Sequence, residues 1–73
     1  MAIQDIPAPM TGTVLEVNVR VGEQVNAGQE LIVVESMKME IPLESPSAGT
    51  IAEVLVAPQQ RIEEGEPVLR LES

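Results

Sequence analysis

Residues 9–36 read PMTGTVLEVNVRVGEQVNAGQELIVVES, and residues 46–73 read PSAGTIAEVLVAPQQRIEEGEPVLRLES. Laid over each other without a gap, at an offset of 37 residues, they match at nine of 28 pairs. Pro9, Gly12, Thr13, Glu16, Val17, Val19, Gly28, Glu35 and Ser36 meet Pro46, Gly49, Thr50, Glu53, Val54, Val56, Gly65, Glu72 and Ser73. Conservative pairs lie between them: Val14 with Ile51, Val25 with Ile62, Leu31 with Val68, Ile32 with Leu69 and Val34 with Leu71. Such a chain is two copies of one supersecondary unit, related by an approximate two-fold axis.

Within each copy the apolar period is that of a strand. Val17, Val19 and Val21 alternate with Glu16, Asn18 and Arg20, which predicts a strand with its valines on one face. Turn residues separate the apolar stretches at Gly22-Glu23, Asn26-Ala27-Gly28, Pro46-Ser47-Ala48-Gly49, Pro58-Gln59-Gln60 and Glu64-Gly65. Gly12, Gly22, Gly28, Gly49 and Gly65 are assigned as structural turn or close-packing positions. No helix of useful length survives these breaks. The expected fold class is all-β, a small sandwich or barrel with its two halves face to face.

Residues 1–73 form one small domain on any length prior, with too little chain for a cavity backed by a separate catalytic layer. Cysteine and histidine are both absent. Disulfides, thiolate or imidazole metal sites and Cys-His or Ser-His nucleophiles are thereby excluded, and no catalytic or metal-ligating residue is assigned. The net charge of −8 repels phosphate backbones and anionic lipid, so nucleic acid is a poor partner. The longest apolar run, Leu31-Ile32-Val33-Val34, is far short of the roughly 20 residues of a membrane-spanning helix. No membrane insertion is expected. With no basic segment followed by an apolar one at the N-terminus, a cytoplasmic location is the default expectation. Arg20, Arg61 and Arg70 are read as surface charges, and Glu63-Glu64-Gly65-Glu66 as a solvated loop.

The chain has a single lysine, Lys38, within Glu35-Ser36-Met37-Lys38-Met39-Glu40, between the apolar runs 31–34 and 41–43. That is the turn of a predicted hairpin. A lone turn lysine is by itself only a solvated charge. Its neighbours are unusual, because Met37 and Met39 stand where turns carry Asn, Asp, Gly or Ser. Either methionine could instead fold back into the core. Under the repeat, the position equivalent to Lys38 is Met1 or a point just past Ser73, so symmetry places both termini opposite the lysine.

Glu35-Ser36-Met37-Lys38-Met39 resembles the Glu-Ala-Met-Lys-Met signature of biotinyl domains, the biotin carboxyl carriers of biotin-dependent carboxylases and decarboxylases. The resemblance extends from Ile6–Val14 through Val21–Leu31 to Ser45–Ile51. It implies a flattened barrel of two four-stranded antiparallel sheets with pseudo-two-fold symmetry, and a modified lysine on a tight exposed hairpin turn. It also implies that biotin is attached by an amide to Lys38, with Glu35, Ser36, Met37, Met39 and Glu40 as the recognition motif. The partners implied are a biotin protein ligase, a biotin carboxylase and a carboxyltransferase or decarboxylase, and the chain is a carrier rather than an enzyme. Ser36 stands where the family more often has alanine. Val14 to Gly22 leaves no room for the inserted loop of the bacterial acetyl-CoA carboxylase carrier, so the resemblance is to thumbless domains. A lipoyl domain shares the implied fold but typically has Asp before the lysine and Ala after it. An unmodified barrel-sandwich interaction module would require neither the methionines nor the lysine.

Overall fold

The 37-residue offset maps strands onto strands. The computed structural model describes residues 2–73 and contains eight strands: β1 (Ile3–Pro7), β2 (Gly12–Val17), β3 (Gln24–Val25), β4 (Glu30–Ser36), β5 (Met39–Glu44), β6 (Gly49–Val54), β7 (Arg61–Ile62) and β8 (Pro67–Glu72). β2, β3 and β4 correspond under the offset to β6, β7 and β8, and β5 corresponds to β1. They form two four-stranded antiparallel sheets, ordered β1-β8-β6-β3 and β5-β4-β2-β7. The all-β flattened barrel of two four-stranded sheets is therefore the observed architecture. Each sheet takes its two-residue strand from the opposite half: β3 lies on β6, and β7 lies on β2.

The interior is built from symmetry pairs. Val14 and Ile51, Val19 and Val56, Val25 and Ile62, Leu31 and Val68, Ile32 and Leu69, and Val34 and Leu71 all belong to the buried cluster, together with Ile6 and Ala8. With no aromatic residue in the chain, branched aliphatic side chains supply the described core apart from Ala8, and they suit a pleated surface. Ala8 has Ser45 as its repeat mate, the one buried polar residue among those described, and the Ser45 hydroxyl donates to the Ser47 carbonyl at 2.6 Å.

Four turns repeat one hydrogen-bonding device. The Arg20, Asn26, Ala57 and Glu63 amides donate to the side-chain oxygens of Glu23, Gln29, Gln60 and Glu66 at 3.2 Å, 3.1 Å, 3.1 Å and 3.0 Å, respectively. Each carboxylate or carboxamide closes its own turn, an economical way to satisfy an exposed backbone donor. The Glu63–Glu66 stretch is thus an organised turn, further held by the Glu64 amide donating to Thr11 Oγ1 at 3.2 Å.

Three sequence expectations need correction. The valine alternation suggested a strand extending to Val21, but β2 ends at Val17, and Val21 is 62% exposed. The chain must leave its sheet there to cross to the other one, where the Gly22 amide donates to the Ile51 carbonyl at 2.8 Å. Gly12 and Gly49, expected at turn or close-packing positions, are strand residues, so for them the turn reading fails and the close-packing one holds. Of the glycines, only Gly22, Gly28 and Gly65 sit at positive φ. Finally, Arg70 is more than a surface charge. From the interior strand β8 it bridges Asp5 on β1 at 3.0 Å and Glu53 on β6 at 2.7 Å. The hydrogen bond to Glu53, then that to Asp5, pushes the guanidinium pKa up. Its repeat mate is Val33, which pairs with Pro42 and Glu16, so the two outer sheet faces differ chemically.

Gly12 and Gly49 are required by close approach. A Cβ on Gly12 would run into the Glu35 carbonyl oxygen, and one on Gly49 would lie 2.5 Å from the Glu72 carbonyl oxygen. Both obstacles are backbone, which cannot swing aside as a flexible side chain can. Gly12→Ala and Gly49→Ala should each destabilise the domain by about 2 kcal/mol or more, within the usual range for overpacking. Urea unfolding followed by far-ultraviolet circular dichroism checks this, and a loss below about 0.5 kcal/mol, the size of an ordinary surface change, would contradict it.

Candidate functional site

β4 and β5 form the long hairpin of the structure, in a register that pairs Ser36 with Met39, Glu35 with Glu40, Val34 with Ile41 and Val33 with Pro42. The pairing Ser36↔Met39 leaves only Met37 and Lys38 to reverse the chain. Both have positive φ, 53° and 66°. This is the geometry of a two-residue turn whose twist matches that of the flanking strands, and which ordinarily selects Asn-Gly. L-residues with side chains in that region cost about 1–2 kcal/mol each. The turn therefore carries side chains that backbone preference would not choose.

The side chains are presented to solvent. Met37 is 90% exposed and Met39 63% exposed, and Lys38 is exposed between them. Of the two readings open for the methionines, the core reading is thus overturned: the two-residue turn carries them past the end of the barrel. Among the described residues Lys38 makes no ion pair and no side-chain hydrogen bond, so its ammonium nitrogen is free in the fold.

Glu35 and Glu40 stand directly opposite each other behind the turn, and like charges so placed oppose folding slightly. Thr13 of β2 adjoins Glu35, and Arg61 of β7 adjoins Thr13. An open cleft under the turn is lined by Thr11, Gly12, Thr13, Glu35, Ser36, Met37, Lys38 and Arg61. All six residues of the expected motif, Glu35 to Glu40, therefore fall on one hairpin end. Arg61 was not anticipated there, because its arrival depends on β7 crossing from the other half. No signal within its own stretch of sequence marks that crossing.

The opposite end of the molecule holds Ala2 and Ser73. Ala2 and Ser73 exchange backbone hydrogen bonds of 3.0 Å in both directions, the symmetry equivalent of the Ser36↔Met39 pair. β5 runs from the turn down to Glu44, and the chain enters β6 at Gly49, against the Glu72 carbonyl beside the terminus. The long axis of the molecule is 36 Å. The expectation for Met1 itself lies outside the described residues. Among the described residues no group of three or more acidic, His or Cys side chains is placed to hold a metal ion. The described chain also contains no helix long and apolar enough to cross a membrane.

Residues 4–71 match the family model described as biotin-requiring enzyme. The chain is 37% identical over 70 residues to a biotin carboxyl carrier protein of Streptococcus mutans, covering 96% of this chain and 54% of that protein. It is 39% identical over 62 residues to a biotin/lipoyl attachment protein of Bacillus subtilis, covering 85% of each. Among solved structures, a single-chain, multi-domain long-chain acyl-CoA carboxylase superposes with a TM-score of 0.89 at 38% identity, over 93% of this chain and 7% of that one. The chain thus spans about half the length of the Streptococcus mutans protein and a small part of the carboxylase.

A turn that holds side chains against backbone preference should gain stability when that preference is met. The double substitution Met37→Asn with Lys38→Gly should raise stability by about 1–2 kcal/mol. The midpoint of thermal unfolding should then rise by about 4–8 °C per kcal/mol. Circular dichroism melting is the check, and an unchanged or lower midpoint would show that the turn is not under strain.

Proposed function

The chain belongs to the biotin-attachment family of biotin-requiring enzymes, and from that premise we propose that residues 1–73 form one carrier domain with biotin in amide linkage to Lys38. The observation that carries the assignment of the residue is the turn itself. The only lysine of the chain stands exposed at the apex of a two-residue reversal, without an ion pair among the described residues, at the pole opposite Ala2 and Ser73. A chain tethered at the terminal pole leaves the lysine free to enter one partner site after another.

The residues present fit the group. Its attachment needs a primary amine that no carboxylate of the fold engages, and Lys38 provides one. Glu35 and Glu40 face each other behind the turn, and Met37 and Met39 flank it, so a ligase reading this end meets an apolar tip on an acidic base. The chain contains neither histidine nor cysteine, so activation of the Lys38 amine falls to the ligase. Bound biotin supplies a ring nitrogen that accepts and releases a carboxyl group. Everything else this chain contributes is position: a rigid sheet beneath the turn, and a long reach away from the tether.

The partners follow from that role. They are a biotin protein ligase, which forms the amide, a biotin carboxylase, which loads the carboxyl group, and a carboxyltransferase or decarboxylase, which unloads it. The acidic charge of −8 disfavours casual self-association and favours basic rims around those partner sites. The chain acts as a shuttle between catalysts and as a substrate of the ligase.

Incubation with a biotin protein ligase, ATP and biotin should add one biotin per chain, read by intact-mass spectrometry, and the addition should vanish in Lys38→Arg. Exchanging Met37 and Lys38 should abolish it as well, because the ligase reads the place of the amine on the turn. Efficient labelling of the exchanged variant would refute the role assigned to the turn. Addition from a lipoate ligase with lipoate, and none from biotin, would make the chain a lipoyl carrier. No addition from either would make it an unmodified interaction module.

A further inference from the structure

The chain has no cysteine, so its softest nucleophiles are thioether sulfurs. Three methionines are described, and the fold treats them differently. Met10 is partly buried and packs against the core cluster. Met37 is 90% exposed and Met39 63% exposed, and neither belongs to the core or packs on it. The two exposed thioethers flank the one lysine at the tip, where a partner would first touch the domain.

We infer that Met37, with Met39 beside it, is a site of reversible oxidation by peroxide, and that the sulfoxide prevents partner enzymes from accepting the Lys38 tip. In the reaction the thioether sulfur attacks one peroxide oxygen, the O–O bond breaks, and an S–O bond forms. The departing hydroxide takes the remaining proton and leaves as water. Sulfur is oxidised by two electrons and peroxide is reduced by two. Because no core contact is made by Met37 or Met39, the fold survives the change. What alters is the tip, from an apolar surface to one bearing a strong hydrogen-bond acceptor. Inserting it into a partner site then buries a polar group that has no matched donor. The effect on docking rests on the carrier reading above, whereas the order of oxidation rests only on exposure.

The test exposes the whole chain to graded hydrogen peroxide, locates sulfoxide at each methionine by peptide mass spectrometry, and follows melting by circular dichroism. Met37 should oxidise first, about fivefold or more faster than Met10, with the melting midpoint unchanged. The oxidised chain should then accept biotin from the ligase about tenfold more slowly, and treatment with methionine sulfoxide reductases should restore the rate. In a chain carrying Met37→Leu and Met39→Leu, the labelling rate, whatever its starting value, should be the same before and after peroxide. Equal oxidation of Met10 and Met37, a collapse of the fold on oxidation, or undiminished labelling of the sulfoxide chain would each overturn the inference. Failure of the untreated chain to accept biotin would instead overturn the carrier reading and with it the docking effect, leaving the order of oxidation to be decided by the peptide masses.

Discussion

Each half of this molecule is closed by a two-residue strand from the other half, and the remaining structure depends on that exchange. β3 completes the sheet of β6 and β8, and β7 completes the sheet of β2 and β4. Neither half could bury its apolar face alone, because a single sheet of this size has only one covered side. Together they enclose six symmetry pairs of aliphatic residues, from Val14 and Ile51 to Val34 and Leu71. Within each half, backbones of neighbouring strands also pass very close, at Gly12 under Glu35 and at Gly49 under Glu72. Glycine at those two positions is a condition of assembly rather than of turning.

The same symmetry explains how a small domain presents one distinctive point. In one sheet the edge strand β5 joins its neighbour β4 through Met37 and Lys38, and in the other the equivalent junction between β8 and β1 is open between Ser73 and Ala2. One pole is therefore a tip, and the other is the place where chain can enter and leave. The rigid β4–β5 hairpin holds the tip on paired strands instead of a loose loop, so its position is set by the core. The turn carries residues that backbone preference disfavours, and the fold around it absorbs that cost.

The asymmetries between the halves are as informative as the repeat. Arg70 organises Asp5 and Glu53 across one outer face and so fastens the edge strand β1 to the body. Its repeat mate Val33 lies on the sheet of the lysine hairpin, where no such bridge forms. Carboxylates on that sheet, including the opposed Glu35 and Glu40, remain without a cationic partner among the described residues. One face is thus tied together electrostatically, while the other keeps its carboxylates uncompensated among the described residues.

The sequence by itself determined the all-β class, the repeat and its offset, the hairpin between the runs at 31–34 and 41–43, and the placement of Lys38 on its turn. Those features are local: a period of two, turn residues at fixed spacing, and a register that two apolar runs impose on the residues between them. The resemblance of Glu35–Met39 to a known signature added the chemistry. Only the tertiary structure decided that the valine alternation stops being a strand at Val17, that Gly12 and Gly49 sit inside strands, and that Met37 and Met39 point away from the core. It alone brought Arg61 to the cleft beneath the turn and Arg70 between two carboxylates. Each of these depends on which distant strand lies alongside, a non-local pairing that no stretch of residues encodes within its own span.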